Sequence, residues 1–339
     1  KSGGMDGILY EMIKSAEQIL VGPITKIFNK VFTGGFFPET WSISMIKPLF
    51  KGSGSKFDPG KYRGISLMSC MGKLMCSVLN NRLGQHLEER GELNKAQIGF
   101  RKGYRTTDHI ITLQSIIHKY IHKFRATSGN NKLFVAFVDF NKAYDSVWRE
   151  ALYYKLINCE VNGLFLKSIM SIYNHYKIHI KLQNGLTQSF KTNVGLKQGC
   201  VLSPLLFNLF INDLPAEFND IACKPVTLYN EKISCLMYAD DLILMATEAG
   251  GLQKCLDKLD EYCKRWKLDV NIEKTKIIIF NKTGKLIKSV KFTMRGQEME
   301  IVREYKYLGV VFDISGSVTK ITKNLRERAM KAIFKIRKT

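Results

Sequence analysis

Three aspartates stand where otherwise apolar segments end. Asp139 closes the run LFVAFVDF (133–140), which has the length and Val/Phe richness of a buried strand. Asp240 and Asp241 interrupt ISCLMYADDLILMA (233–246), which reads as two apolar strands joined by a hairpin with two acids at its turn. Taken singly, an Asp at a strand end is a cap or a surface charge, and two acids at a hairpin are a turn, since Asp favours that conformation. Converging at the ends of apolar strands, three acids repel one another unless a cation sits between them. Oxygen ligands of this kind suit Mg²⁺, which keeps waters and takes one or two carboxylates plus substrate phosphate. Two such ions roughly 3.5–4 Å apart stabilise both the attacking and the leaving oxygen of a phosphoryl transfer. The residues by themselves leave two readings open: metal-dependent nucleotide chemistry, or a structural acidic turn.

The surrounding segments would have to bring these acids together. SPLLFNLFINDL (203–214) predicts a buried helix with Ser203 as N-cap and Pro204 at the first helical position. GLQKCLDKLDEYCKRW (251–266) predicts an amphipathic helix with Leu252, Cys255, Leu256, Leu259, Tyr262, Cys263 and Trp266 on one stripe, and KIIIF (276–280) a last strand. The order strand, helix, strand, strand, helix, strand is that of a ferredoxin-like (RRM-like) split βαβ unit, here with an insertion after the first strand. In that topology the first strand and the central hairpin lie side by side, so the acids are expected to meet at one edge of the sheet. Upstream, the spacing predicts one helix with Met71, Leu74, Met75, Val78, Leu79 and Leu83 on a face. A second is predicted from about Thr107 to Phe124 through Ile110, Leu113, Ile117, Tyr120 and Ile121. GSGSKFDPG (52–60) reads as a flexible basic loop. The tail, 319–339, reads as a basic amphipathic helix with Ile321, Leu325, Ala329, Ala332, Ile333 and Ile336 inward and eight Lys/Arg elsewhere. The class is mixed α+β, and 339 residues suggest two or three subdomains sharing a core.

Charge narrows the partners. Fifty-two Lys+Arg against 30 Asp+Glu leave a net +22, which favours a polyanion, because each phosphate neutralised releases a condensed counterion. A merely soluble basic surface is the alternative. An anionic membrane fits less well, since the cations run through the whole chain, and no stretch has the length of a membrane span. The eight cysteines form no CxxC pair and several lie in apolar runs, which reads as buried free thiols in a reducing, intracellular compartment without structural zinc. The opening KSGGMDG suggests a fragment of a longer protein.

Beyond these signals, an ordered series of motifs carries a resemblance. VAFVDFNKAYDSV (135–147), GLKQGCVLSPLLFNLFINDL (195–214), YADD (238–241), LDVNIEKTK (268–276) and YKYLGV (305–310) resemble the motif series of reverse transcriptases. The wording is most similar to non-LTR (LINE-type) retrotransposons. The match continues upstream through FFPETW, KPLFKGSGSKFDPGKYRGISLMS (47–69) and NRLGQHLEERGELNKAQIGFRKGYRTTDHI (81–110), covering essentially the whole chain.

The resemblance implies a right-hand polymerase with a ferredoxin-like palm, fingers and a truncated thumb. Its segments would be fingers at 1–105, palm at 106–147, a fingers and nucleotide-pocket segment at 148–202, palm with the YADD hairpin and primer grip at 203–312, and the start of the thumb at 313–339. It implies two Mg²⁺ ions, replaceable by Mn²⁺, on Asp139, Asp240 and Asp241, with a backbone carbonyl from Phe140. Tyr144 would contact the sugar of the incoming nucleotide, and Gln198 and Gly199 would line its pocket; an ordinary buried aromatic is the other reading of Tyr144. Lys51 and Arg63 would hold the triphosphate, a guanidinium fork being able to pair two phosphate oxygens at once. Lys274 would protonate the departing pyrophosphate. Solvated surface lysines are the alternatives for Lys51 and Lys274. Gln97, Gly99, Phe100 and Arg101 would lie along the template, and Tyr307, Leu308 and Gly309 would grip the primer.

The implied partners are an RNA template, a DNA primer or target, and deoxynucleoside triphosphates. The implied setting is the nucleus and cytoplasm as a ribonucleoprotein, with an endonuclease and C-terminal nucleic-acid-binding segments of a longer polyprotein missing from the chain. Rival readings are a non-catalytic nucleic-acid-binding scaffold with a polymerase-like fold, and a telomerase or group II intron-type relative.

Overall fold

The computed structural model describes residues 3–123, 132–182 and 184–336, apart from the side chains of Arg63, Lys123, Lys320, Asn324 and Lys335. Phe124 at the end of the second expected helix, the Arg63 side chain and the last residues of the tail (337–339) lie outside the described residues. The chain divides into two units whose segments alternate along it. The first unit takes residues 1–93, with helix α1 (Glu17–Gly34), strands β1 (Ser44–Phe50) and β2 (Tyr62–Met68) and helix α2 (Cys70–Glu89). The second takes residues 94–143, with α3 (Thr106–Ile117) and β3 (Lys132–Val138). Residues 144–211 belong again to the first, carrying α4 (Arg149–Asn158), α5 (Gly163–Asn174), β4 (Lys177–Leu182) and α6 (Ser203–Phe210). The remainder belongs to the second: β5 (Cys235–Tyr238), β6 (Asp241–Ala246), α7 (Ala249–Trp266), β7 (Lys276–Asn281), β8 (Glu300–Ile301), the hairpin β9 (Glu304–Tyr307) and β10 (Val310–Asp313), and α8 (Val318–Ile336).

The second unit is built on one five-stranded sheet in the order β8-β7-β3-β6-β5. Four of its strands reproduce the ferredoxin-like arrangement, with β3 antiparallel to both β6 and β7. β3 is a continuous apolar run because both its faces are covered. Leu133, Val135 and Phe137 join Leu113, Ile116 and Ile117 of α3 and Phe312 of β10 in one core, while α7 packs against the sheet with Leu252, Leu256 and Leu259 buried. Each such side chain removed from water contributes about 1.5–3 kcal/mol. β3 therefore sits in the middle of the sheet. The expectation that the acids meet at a sheet edge is corrected: β7 pairs on the far side of β3, so they converge at the ends of central strands.

Local differences have physical causes. Ser203 is the first helical residue of α6 rather than its cap, and its hydroxyl donates to the Lys197 carbonyl at 2.8 Å. Past Ile117 the helix opens into a wider π-type turn over His118–Lys123, where the Tyr120 hydroxyl accepts from the Thr227 N–H at 2.8 Å. Val78, expected on the buried face of α2, is 41% exposed. In α8 only Ile321 of the expected inward stripe is buried, while Leu325, Ile333 and Ile336 are exposed, because among the described residues contacts with the unit's strands are concentrated at β10. All eight cysteines are free and seven are buried, Cys159 being partly exposed.

The first unit pairs β1 with β2 antiparallel and with β4 in parallel. Its basic loop is closed locally: the Asp58 carboxylate accepts from the Gly60 N–H at 2.8 Å, and Lys51 donates from its backbone to Lys61 and from Nζ to the Gly60 carbonyl.

Candidate active site

The antiparallel register of β3 and β6 sets the carboxylates. Leu242 lies opposite Val138, so one residue further on Asp241 stands opposite Asp139. Tyr238 and Asp241 close the β5–β6 hairpin, with Ala239 in the left-handed region at φ 56° and Asp240 at the tip. Asp240 and Asp241 reach solvent on one side, and the protein around the rest raises both carboxyls. Burial and the charges of Asp240 and Asp139 push Asp241 up to about 6. For Asp240, burial comes first and the Asp139 charge adds to it. The same negative field lifts the hydroxyl of Tyr305, on which burial acts first and then Asp241 and Asp139. These residues feel one another, as clustered acids must.

Asp139 Oδ2 is buried without a hydrogen-bond partner, and Lys274 Nζ lies 3.5 Å from it, an ion-pair distance only. Lys274 is otherwise mostly exposed. Among the described residues, no three His, Cys, Asp or Glu side chains stand close enough to share one ion. The expected three-acid cage is therefore not preformed. The donor set still fits Mg²⁺, which is held by one or two carboxylates and completed by water and substrate phosphate. The orphaned Asp139 oxygen and the mutual repulsion of the acids are what a cation would relieve. Phe140 bridges Val270 through its neighbours' hydrogen bonds, Asn141 N–H to the Asp269 carbonyl and Asn271 N–H to the Asp139 carbonyl, each 2.8 Å. In such a pair the carbonyl of Phe140 itself faces away from Val270.

Gln97 changes its part. Its side chain is fully buried, so it offers no face to a template. It grips the hairpin turn instead: Oε1 accepts from the Ala239 N–H at 2.8 Å and from the Gly99 N–H at 2.9 Å, while Nε2 donates to the Ala239 carbonyl at 3.1 Å. Gly99 is required beside it, since a Cβ there would stand 2.3 Å from the Ala239 nitrogen. Phe100, at φ 59°, is exposed with its ring 6.4 Å from that of Tyr238, and Arg101 donates to the carbonyls of Asn94 and Gln97. At the β9–β10 turn, Tyr307 is buried, Leu308 is left-handed at φ 44°, and the Gly309 carbonyl accepts from Arg328 of α8 at 2.5 Å.

The other candidates, Lys51, Arg63, Tyr144, Gln198 and Gly199, belong to the first unit. Tyr144 is half-buried and stacks on Phe207, ring centroids 4.7 Å apart. Gln198 Nε2 donates to both oxygens of Asp145, at 3.2 and 3.3 Å. The loop carrying Gln198 is pinned to the Tyr144 segment by Leu196 N–H to the Tyr144 carbonyl and Gly195 N–H to the Val147 carbonyl, at 2.7 and 2.8 Å. A side chain at Gly195 would drive its Cβ to 2.5 Å from the Asp145 oxygen. Buried Arg149 donates four hydrogen bonds to residues 192–195 of the same loop. Lys51 spends its ammonium on Gly60. Sequence reasoning missed Asn141, Asp145, Arg149, Asn271, Thr275 and Arg328. Asn141 and Asn271 lie inside motifs already singled out, but only their position in the fold shows what they hold.

With this geometry in view, the comparisons with known proteins are consistent. Residues 51–312 match the reverse transcriptase (RNA-dependent DNA polymerase) family, and the chain belongs to it. It is 29% identical over 314 residues to the RNA-directed DNA polymerase from mobile element jockey of Drosophila melanogaster, covering 89% of this chain and 32% of that protein. It is 26% identical over 326 residues to the Pol polyprotein from type-1 retrotransposable element R2 of Nasonia vitripennis, covering 94% and 30%. The chain thus spans about a third of the length of these relatives. The resemblance to non-LTR elements read from the motifs is borne out. Among solved structures, apo telomerase from Candida tropicalis truncated from its C-terminal domain matches with a TM-score of 0.56 at 15% identity, covering 85% of this chain and 57% of that one. That likeness establishes the right-hand polymerase fold and speaks for the fold alone.

Proposed function

We propose that this chain is the polymerase core of a non-LTR retrotransposon protein, extending a primer 3′-hydroxyl with deoxynucleoside triphosphates on an RNA template. The observation that carries the reading is the register that sets Asp241 opposite Asp139 at the end of the central strands, inside a reverse transcriptase family match. Two Mg²⁺ ions on Asp139, Asp240, Asp241 and the Phe140 carbonyl would lower the pKa of the attacking hydroxyl and neutralise the charge that develops on the α-phosphate. Mn²⁺ would serve in their place.

The protein's own residues supply positioning, the larger part of phosphoryl-transfer catalysis. Lys274, beside Asp139, is placed to give a proton to the leaving pyrophosphate. Tyr144 meets the sugar, Gln198 and Gly199 line the nucleotide pocket, and Lys51 and Arg63 hold the triphosphate. Phe100 and Arg101 meet the template, and Tyr307, Leu308 and Gly309 meet the primer strand. On this reading the first unit supplies the fingers, and the second the palm with the start of the thumb. In a full-length element, with an endonuclease and further nucleic-acid-binding segments, the activity would copy the element's RNA into nicked DNA, as a nuclear and cytoplasmic ribonucleoprotein. No helix among the described residues is long and apolar enough to cross a membrane.

Extension of oligo-dT on poly-rA, with and without Mg²⁺, tests the reading. Metal-dependent addition of dTMP is expected. Binding of the duplex with no extension under any divalent ion would favour the scaffold instead.

A further inference from the structure

The segment that bears Asp139 is held from outside its own strand, and the hold reaches further than the polymerase reading requires. The Asp139 N–H donates to the Thr275 hydroxyl at 3.2 Å, and its carbonyl accepts from Asn271 at 2.8 Å. Two residues on, Asn141 is gripped twice by one partner 128 positions away. Its backbone N–H donates to the Asp269 carbonyl at 2.8 Å, and its Nδ2 donates to Asp269 Oδ2 at 2.6 Å. Asp269 is not left to swing: Oδ1 accepts from Arg295 Nη1 at 2.6 Å. Arg295 also donates from Nε to Asp260 at 2.5 Å, and the second oxygen of Asp260 lies 2.7 Å from Lys264 Nζ. Arg295 occupies the left-handed region at φ 53°, an uncommon conformation for a non-glycine residue, and two carboxylates hold it there. The relay thus runs from α7, through Arg295 and Asp269, to Asn141.

We propose that Asp269, braced by Arg295, is a positioning residue for the metal site, fixing through Asn141 the direction of the Asp139 carboxylate and the Phe140 carbonyl. The reason is geometric. Phe140 lies between the two anchored residues, and its carbonyl faces away from Val270, so a rotation at Asn141 re-aims that oxygen and the side chain before it. Charge-assisted bonds at 2.6 Å are the strong, short kind, able to hold an aim against the repulsion of neighbouring acids. Outer partners that orient metal ligands are worth tenfold to a hundredfold in metal affinity.

The inference rests on the proposed metal chemistry, and the experiment separates the two. Mn²⁺ binding to the chain is counted by electron paramagnetic resonance without nucleotide. Primer extension is then followed against Mg²⁺ concentration and, at saturating Mg²⁺, against dNTP concentration. Asp269→Ala is expected to weaken Mn²⁺ binding and raise the half-saturating Mg²⁺ by about tenfold or more, with the dNTP KM at saturating metal within about twofold of wild type. Asp269→Asn, which keeps an oxygen for Asn141 but loses the ion pair with Arg295, is expected to fall between, and it carries the test if the alanine variant fails to fold. In an Asn141→Ala background, Asp269→Ala is expected to add less than about twofold. Metal responses equal to wild type, a rise in KM matching the loss of metal affinity, or full additivity with Asn141→Ala would overturn the clamp. A wild-type chain that neither binds Mn²⁺ nor extends a primer would overturn the metal reading beneath it.

Discussion

The carboxylate end of the central sheet and the C-terminal helix are held in opposite ways. Around Asp139 and the hairpin turn, backbone groups are gripped by side chains from distant segments: Gln97 holds both polar groups of Ala239, and Thr275, Asn271 and Asp269 hold residues 139–141. Helix α8, by contrast, buries Ile321, ties Arg328 to Gly309, and leaves Leu325, Met330, Ile333, Phe334 and Ile336 exposed among its cations. The difference follows from what each must do. Acids placed side by side push apart, so their geometry persists only where the surroundings over-determine it. A basic surface for a polyanion needs charge and reach, not a fixed angle.

The comparison can be broken first at the acids. Asp240→Asn should lower extension by more than about a hundredfold, roughly 2.7 kcal/mol in barrier, while the thermal midpoint holds or rises. Residual extension above that level in a folded variant would remove Asp240 from the metal site. Gln97→Ala tests the over-determination itself. It leaves the Ala239 N–H and carbonyl without their partner in a buried turn, a loss of about 1–3 kcal/mol measurable by denaturant unfolding, with extension down at least about tenfold. Unchanged stability and rate would show that the turn holds itself.

Tyr144→Val sharpens the contrast from the first unit. If the ring excludes a 2′-hydroxyl, overpacking worth about 1–3 kcal/mol is released, and ribonucleotide use rises about tenfold to a hundredfold relative to deoxynucleotide. Equal losses with both sugars in single-nucleotide extension would reduce Tyr144 to the packing partner of Phe207. Truncation before Thr319 should lower the log–log salt slope of primer–template binding by about one unit or more for each phosphate contact or two lost. A constant slope would take α8 off the nucleic acid.

The smallest effect is on pH. Asp241 is raised to about 6 in the folded chain, above its ordinary value. The folded state then holds more proton than the unfolded one between those values, so stability falls as pH rises through that window. Without metal, Asp241→Asn should gain stability at pH 7.5, about 1 kcal/mol or less after solvent screening, and the gain should fade toward pH 4. A gain independent of pH would point to a cause other than charge.

The parts of this arrangement differ in how plainly they can be read from residues. The strands β3, β5, β6 and β7 are legible because a buried strand must be apolar throughout, and an acid at its end then stands out. The pairing of β3 with β6 follows from element order. The central position of β3 does not, because it depends on where β7 pairs. The roles of Gln97 and Asp269 are hidden for a different reason: polar residues in loops have no periodicity, and their partners lie 142 and 128 positions away. The stripe on α8 misleads because amphipathic spacing shows that a face could be buried, not that anything covers it.

The claim that the β3 and β5–β6 acids form one metal centre is tested most directly by letting the metal cut the chain. Fe²⁺ with peroxide and ascorbate generates hydroxyl radicals at a bound ion, and mass spectrometry locates the breaks. Cleavage is expected near both residues 138–141 and residues 238–242, competed by Mg²⁺ and lost together from both segments in Asp240→Asn. Cuts at one segment alone, or at both in the Asp240→Asn chain as in wild type, would contradict the shared centre.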